Sequence, residues 1–465
     1  MLSQLGDSGC EIHGFDEGQT GIDVEDRTKI HPMQIVNEPL GKTWFKIGCL
    51  SFGGAAAQIA LLHREFVEER RLIDERSFLH ALNLCMLLPG PEAQQLATYL
   101  GWRFSGMSGG LIAGILFVLP GALVMLGLST LYVYYGSHPS VASLFFGLKC
   151  AVLSLIIHAV IRIAKRAFTN KISFVFACIA FLAMALTKIP FPILILSAAI
   201  SACILDPIFP SLFGARETSN VSVETIHWMA LLKSAIFWLV MWLGPLIFIA
   251  FSLGVEHRLF DIGLFFAKLS SLSFGGAYAL LAWLAQTAVE TKSWLSSLEM
   301  ADGLGLAETT PGPTILVTQF VGFLAAYRVA EPLSPLLAAM IGSLLTLWMT
   351  FAPSFLFIFA GAPLFERLRI YQRLVSALKA ITSIVVGVIT WVGVWFALHL
   401  FFANVTTYEA GLIRMPLFSW ASFKLEAVLL SSFAAMMFFR LRWPLWAVLI
   451  LTILAGSGLG FLGLI

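Results

Sequence analysis

Ser51-Phe52-Gly53-Gly54 is followed, after 34 intervening residues, by Pro89-Gly90-Pro91, and the pair returns as Ser273-Phe274-Gly275-Gly276 and Pro311-Gly312-Pro313 at the same spacing. The offset is 222 throughout, so the copies align without a gap. Across 46–91, 17 of 46 positions are identical to 268–313. A shared apolar bias makes membrane segments look alike, but it does not hold glycines, prolines and a lysine in register. The chain is an internal duplication.

The composition decides what kind of chain was duplicated. It is 58% hydrophobic and 12% charged, with a mean hydropathy of +0.87. A soluble domain carries about twice that charge fraction. Apolar runs long enough to cross roughly 30 Å of hydrocarbon recur along it, so the class is an all-α polytopic membrane protein. A β-barrel would alternate in short segments instead. The formal net charge of +2 gives no footprint for nucleic acid. The six cysteines (Cys10, Cys49, Cys85, Cys150, Cys178, Cys203) have neither metal-ligand nor disulfide spacing. No metal and no cofactor is expected.

Four divisions follow: a polar tail at 1–42, a first repeat at 43–206, a linker at 207–225 and a second repeat at 226–465. The tail holds eight acidic residues against Arg27, Lys29 and Lys42 and has no apolar core, so it reads as cytoplasmic, without a signal peptide. Charge-dense 63–80 reads as a helix on the membrane surface. An extra apolar helix, about 227–254, leads the second repeat. Seven apolar segments precede the second Gly-Gly unit, and an odd number turns that repeat upside down. If the four segments broken by Gly-Gly or Pro-Gly-Pro re-enter, about nine full crossings remain; if they cross, there are thirteen. Basic clusters at 162–171 and 367–373 favour a cytoplasmic N-terminus. Re-entrance is preferred, because it also puts the Arg-rich stretch 64–76 inside.

A helix interrupted inside a membrane strands backbone N–H and C=O groups that hydrocarbon cannot pair, so breaks persist only in protein or beside a wet cavity. The half-helix after a break aims its N–H groups and positive dipole end at the gap, which suits an anion. Inverted copies would aim several such ends at one point near the midplane. The expected substrate-binding residues are therefore Ser51, Phe52, Gly53, Gly54, Pro89, Gly90, Pro91 and their partners Ser273, Phe274, Gly275, Gly276, Pro311, Gly312, Pro313. Lys46 and Lys268, equivalent and seven residues before the Gly-Gly pair, add positive charge or snorkel to the interface. Glu92 and Glu308 flank the breaks and bind a proton or cap a helix end. Gln94, Gln95, Thr309 and Thr310 are candidate donors to an oxyanion. Lys149 and Lys379 read as helix-end residues, and no catalytic residue is expected.

Phe52-Gly53-Gly54, the run Leu88-Pro89-Gly90-Pro91-Glu92-Ala93-Gln94-Gln95-Leu96-Ala97-Thr98-Tyr99, Ser273-Phe274-Gly275-Gly276 and Thr310-Pro311-Gly312-Pro313 resemble the chromate ion transporter family in its long two-domain form. The resemblance runs from about residue 43 to the end. It implies a bacterial inner-membrane protein that exports chromate, with sulfate as the structural analogue, and confers resistance. It departs at Ala55, where the family often has proline. Either a monomer or a homodimer is compatible. Rival readings are a transporter of another oxyanion such as sulfate or molybdate, a passive anion channel, and a lipid-processing enzyme. The last lacks any nucleophile or metal cluster.

Overall fold

The computed structural model describes residues 40–136, 138–168, 170–208, 228–273, 277–362, 364 and 372–463, and among them the chain is almost entirely helical. Nearly all of the expected tail and linker, together with Phe274, Gly275 and Gly276, lie outside the described residues.

In the first copy, α1 (Leu40–Leu50) and α2 (Gly54–His63) meet at Gly-Gly, and α3 (Glu75–Cys85) and α4 (Glu92–Tyr135) meet at Pro-Gly-Pro. α4 is two helices in one run, because Ser105 and Gly106 leave helical φ/ψ. Then come α5 (Pro139–Ala167), α6 (Lys171–Leu186) and α7 (Phe191–Ile208). α8 (Trp228–Ser252) is the extra helix expected before the second copy. That copy runs α9 (Arg258–Ser271), α10 (Ala277–Ala285), α11 (Ser297–Thr309), α12 (Val317–Arg328), α13 (Pro335–Leu356), α14 (Gln372–Phe401), α15 (Leu425–Ala435) and α16 (Leu445–Phe461).

The same local causes act in both copies, 222 residues apart. α2 runs on into a π-helical turn at Arg64–Glu69, and α10 into one at Gln286–Thr291. Arg71 and Ser293 then turn the chain, each at φ 49°. Asp74 and Ser296 cap the next helices by accepting from the backbone N–H of Ser77 and Glu299. Each such cap stabilises by about 0.5–2 kcal/mol. The single surface helix expected over 63–80 is thus two helices. Left-handed Arg71 and the Asp74 cap stop one and start the other, which its near-helical apolar spacing concealed.

α1, α2 and α3 have 11, 10 and 11 residues. At 1.5 Å per residue they fall well short of the roughly 20 residues a crossing needs. Their ends gather on one face: Trp44 of α1 lies 4.7 Å from Phe66 after α2, and Phe66 lies 5.4 Å from Phe104 at the end of the first part of α4. In the second copy Lys292 reaches Asp261 of α9 at 2.7 Å, and Arg328 at the end of α12 pairs with Glu299 of α11 and the Trp294 carbonyl. Six helices among the described residues are long and apolar enough to cross a membrane: 92–135, 139–165, 191–208, 231–252, 335–361 and 373–401. Large apolar side chains such as Ile179, Leu196, Phe248 and Leu454 face outward, the pattern of a surface solvated by lipid.

The last helices are exchanged between copies. α5 packs against α15 and α16, and α14 against α6 and α7. Small residues allow these crossings: Gly147 meets the Thr452 carbonyl and Gly387 the Ala177 carbonyl, where a Cβ would stand 2.2 and 2.0 Å away. Between α14 and α15 the chain forms an antiparallel hairpin, β1 (Val405–Ala410) and β2 (Ile413–Phe418). The helix after the hairpin starts at Leu425. The hairpin docks on the α6–α7 turn, where the Lys188 N–H donates to the Leu412 carbonyl at 3.1 Å and Lys188 Nζ reaches Glu409 at 2.7 Å.

His63, at the polar end of α2, sits between Glu75 (2.6 Å) and Glu68 (3.0 Å). The hydrogen bond to Glu75, first among the causes, raises its pKa above the ordinary 6.5. The pair therefore adds stability that is complete below pH 6.5 and fades as pH rises through the raised value. At so open a site this is under about 1 kcal/mol. The melting temperature of the purified protein should exceed that of His63→Gln at acidic pH and converge with it above neutrality.

Candidate functional site

The two breaks hold each other. The backbone N–H of Gly90 donates to the Ser273 carbonyl at 3.0 Å, and that of Gly312 donates to the Ser51 carbonyl at 2.6 Å. Ser51 and Ser273, like Gly90 and Gly312, are equivalent under the 222 offset, so each copy's Pro-Gly-Pro is bonded to the other copy's Gly-Gly unit. Such reciprocal contact, i to j and j to i, characterises a two-fold related pair. Gly90 and Gly312 take φ 125° and 94°, a region that favours glycine.

Side chains tie the breaks further. Gln58 of α2 donates through Nε2 to the Gly312 carbonyl at 2.7 Å, and Gln95 of α4 donates to the Pro89 carbonyl at 2.6 Å. Gln319 of α12 donates to the Ala122 carbonyl of α4 at 3.0 Å. Each break also rests on a later helix of the other copy. A Cβ on Gly121 of α4 would stand 2.0 Å from the Pro311 carbonyl oxygen, and one on Gly90 would stand 3.4 Å from Ser354 Oγ of α13. Both contact residues follow a proline, in Pro120-Gly121 and Pro353-Ser354.

Hydrogen-bonding capacity is left over here. Gln58 Oε1, Gln95 Oε1, Ser273 Oγ, Ser354 Oγ and both amide atoms of Gln94 are buried without a hydrogen-bond partner among the described residues. An unpaired buried amide costs about 1–3 kcal/mol, so a cluster of them is a place for a polar ligand or water. The helix starts at the breaks are open as well. Gly53, Pro91 and Pro313 precede helical segments without any side-chain cap. α3 and α11, which start at the polar faces, carry caps. Helix starts without side-chain caps, together with buried amides, are neutral donors suited to an anion.

The expected residues divide accordingly. Ser51, Gly54, Pro89, Gly90, Pro91, Gln94, Gln95, Ser273, Gly312 and Pro313 are buried at the breaks, and Gly53 and Pro311 are half-buried. Phe52 is exposed, as are Lys46 and Lys268 on the faces of α1 and α9; Lys46 pairs with buried Glu65 at 3.8 Å. Thr309 and Thr310 turn their hydroxyls onto α11's own Leu306 and Ala307 carbonyls, at 2.9 and 3.2 Å. Glu92 opens α4 half-buried, and Glu308 is buried near the end of α11.

Gln58, Gln319, Gly121 and Ser354 were missed. A lone glutamine in an apolar half-helix was the available signal for the first two. Lys149 was misread: it lies inside α5, half-buried, 3.0 Å from Asp302 of α11, which also accepts from Tyr132 OH at 2.9 Å. Leu148-Lys149, like Leu378-Lys379, reads as the opening of a long apolar helix, which suggests a helix end.

Replacing Gln94 by leucine separates ligand from scaffold. It removes an unpaired amide, so stability should hold or rise by about 1 kcal/mol. A lost hydrogen bond to a charged ligand, about 1.5–3 kcal/mol, should still cut anion transport roughly 10- to 100-fold. Normal transport by a stable Gln94→Leu chain would remove Gln94 from the site.

Broken half-helices crossing between two copies inside an apolar helical body define a membrane protein of the transporter class. The sequence model of the chromate transporter family matches residues 39–204 and 260–458, and the chain belongs to that family. It is 31% identical over 285 residues to a chromate transport protein of Pseudomonas aeruginosa, covering 61% of this chain and 65% of that one. It is 26% identical over 348 residues to the chromate transport protein of Cupriavidus metallidurans (75% and 79%). A probable chromate transport protein of Synechococcus elongatus is 28% identical over 305 residues (65% and 73%). No solved structure matches the chain. Membership points to transport rather than catalysis.

Proposed function

We propose that the chain is a secondary active transporter that exports chromate across the bacterial inner membrane, binding it between the two broken-helix units. The exchanged Gly90–Ser273 and Gly312–Ser51 hydrogen bonds carry this reading, because they join the open helix starts of both copies around partnerless buried amides. A tetrahedral dianion takes N–H donors on every side and needs no lysine. Sulfate, of nearly the same shape, would compete.

The copies are taken as inverted, with the half-helix pairs re-entering the membrane. Their short lengths and gathered ends support this. Basic residues Arg162, Lys165 and Lys171 lie at the α5–α6 turn, and Arg440 and Arg442 at the α15–α16 turn. By the positive-inside rule that face is cytoplasmic. The α6–α7 turn and the hairpin lie at the opposite ends of these helices. Outward movement of a dianion from a cell that is negative inside gains about 2 × 2.3 kcal/mol per 100 mV. The membrane potential alone could thus drive export, with or without an exchanged ion.

Everted membrane vesicles test this. Energised vesicles should accumulate chromate above the outside concentration, and sulfate should compete. Flux that follows the gradient without accumulation would leave a channel; accumulation of another oxyanion but not chromate would discard the substrate.

A further inference from the structure

We propose a second oxyanion site in the cavity beneath the β1–β2 hairpin, centred on Arg414; it rests on the oxyanion-transporter reading and adds a release station to it. The cavity measures about 250 Å³. At roughly 30 Å³ per water it holds a five-atom anion with part of its hydration. Its polar lining is Gln286, Glu290, Ser297, His399, Thr407 and Arg414, against Trp395.

Five elements build it: the end of α6, the end of α10 with its π-helical turn, the start of α11, the second half of α14, and the hairpin. Gln286 and Glu290 stand on the π-helical continuation of α10, the half-helix that follows the second Gly-Gly unit. The cavity therefore lies at the outer end of an element that starts at the central break. The hairpin side is the face away from the arginine-rich loops. An exported anion would meet it last.

The charge arrangement is that of an exchangeable site. Arg414 is ion-paired with Glu290, and both side chains are about four-fifths buried. Lys188 and Glu409 form a second pair at the hairpin, at 2.7 Å and more open to solvent. His399 Nδ1–H donates to the Trp395 carbonyl at 2.8 Å, which fixes that ring with Nε2 directed elsewhere. Formal charge thus cancels: Arg414 against Glu290, and Lys188 against Glu409. Arg414 is a planar fork suited to an oxyanion. A dianion competes with the Glu290 carboxylate for it, and the carboxylate recaptures the cation when the anion leaves. Glu290 thus keeps Arg414 in place and makes binding weak enough for release.

Signs of effect distinguish this from a purely structural ion pair. Radiolabelled sulfate is equilibrated by dialysis with the purified full chain and with Arg414→Gln, Glu290→Gln and Gln94→Leu. The wild type should bind two sulfates per chain. Arg414→Gln should bind one. Glu290→Gln, which frees the cation, should keep two and tighten the weaker roughly tenfold or more. Gln94→Leu should keep the weaker and lose the central one. One sulfate per chain in both wild type and Arg414→Gln overturns the second site and leaves the central one. Equal weakening by Arg414→Gln and Glu290→Gln overturns it too, since it marks a merely structural pair. No sulfate on any of the four chains overturns this site together with the transport reading.

Discussion

Gly121→Val is expected to abolish chromate transport in a chain that still inserts into the membrane. Gly121 lies on α4, where a Cβ would stand 2.0 Å from the Pro311 carbonyl oxygen and 2.6 Å from Leu316 Cδ1. The first obstacle is backbone, so no rotamer change relieves it. The Pro311–Gly312 segment would have to move, and Gly312 is the residue bonded to Ser51 and held by Gln58. Overpacking of this kind costs about 1–3 kcal/mol, and tenfold in occupancy follows from each 1.4 kcal/mol. Losing the exchanged hydrogen bond would add to that. Gly127→Val, on the same helix with nothing within 4 Å of its Cβ, is the control and should transport normally. Rates in everted vesicles, normalised to chain content, make the comparison. Equal rates for the two variants would show that the break does not need its seat on α4.

The second large effect concerns stability. Lys149, Asp302 and Tyr132 join α5, α11 and α4 through one buried ion pair and one hydrogen bond. Removing either charge alone, by Lys149→Met or Asp302→Asn, leaves the other without a counter-ion in an apolar interior. About 3–5 kcal/mol is the usual cost. The double variant Lys149→Met/Asp302→Leu leaves no stranded charge and should recover most of the loss. Tyr132→Phe should cost about 1 kcal/mol, one hydrogen bond. Thermal unfolding of the purified chain decides it. A double variant as unstable as the sum of the singles would mean that charge compensation is not what holds these helices together.

What the sequence made legible was the repeat and its breaks. Glycine and proline write their constraints locally, so Gly90 and Gly312 announced the interruptions before any contact was known. The extra helix before the second copy and most crossing segments were equally plain from length and hydropathy. The exchange was not legible. Gly90 meets Ser273, and Gly312 meets Ser51, because two copies face each other, and no local pattern states which copy a break will touch. Gln58 was passed over for the same reason: its partner, Gly312, is 254 residues away. The hairpin was not legible either: Val405–Ala410 and Ile413–Phe418 are six-residue strands between two long apolar runs, too short for a period to stand out. Lys149 misled because charge near the start of an apolar segment usually marks its end. Here Asp302, on a broken helix of the other copy, supplies the counter-charge. Lys46 and Lys268 were conspicuous by register, yet both are exposed, so their equivalence carries less about the anion site than the buried glutamines do.

The most direct measurement is an anomalous-difference map of crystals of the full chain soaked in selenate, a heavier tetrahedral dianion. The account predicts a peak between the Gly90 and Gly312 breaks, within hydrogen-bonding distance of the Gln94 amide or of the uncapped helix starts after Pro91 and Pro313. Peaks confined to other places, with Gln94 still unpartnered, would contradict it.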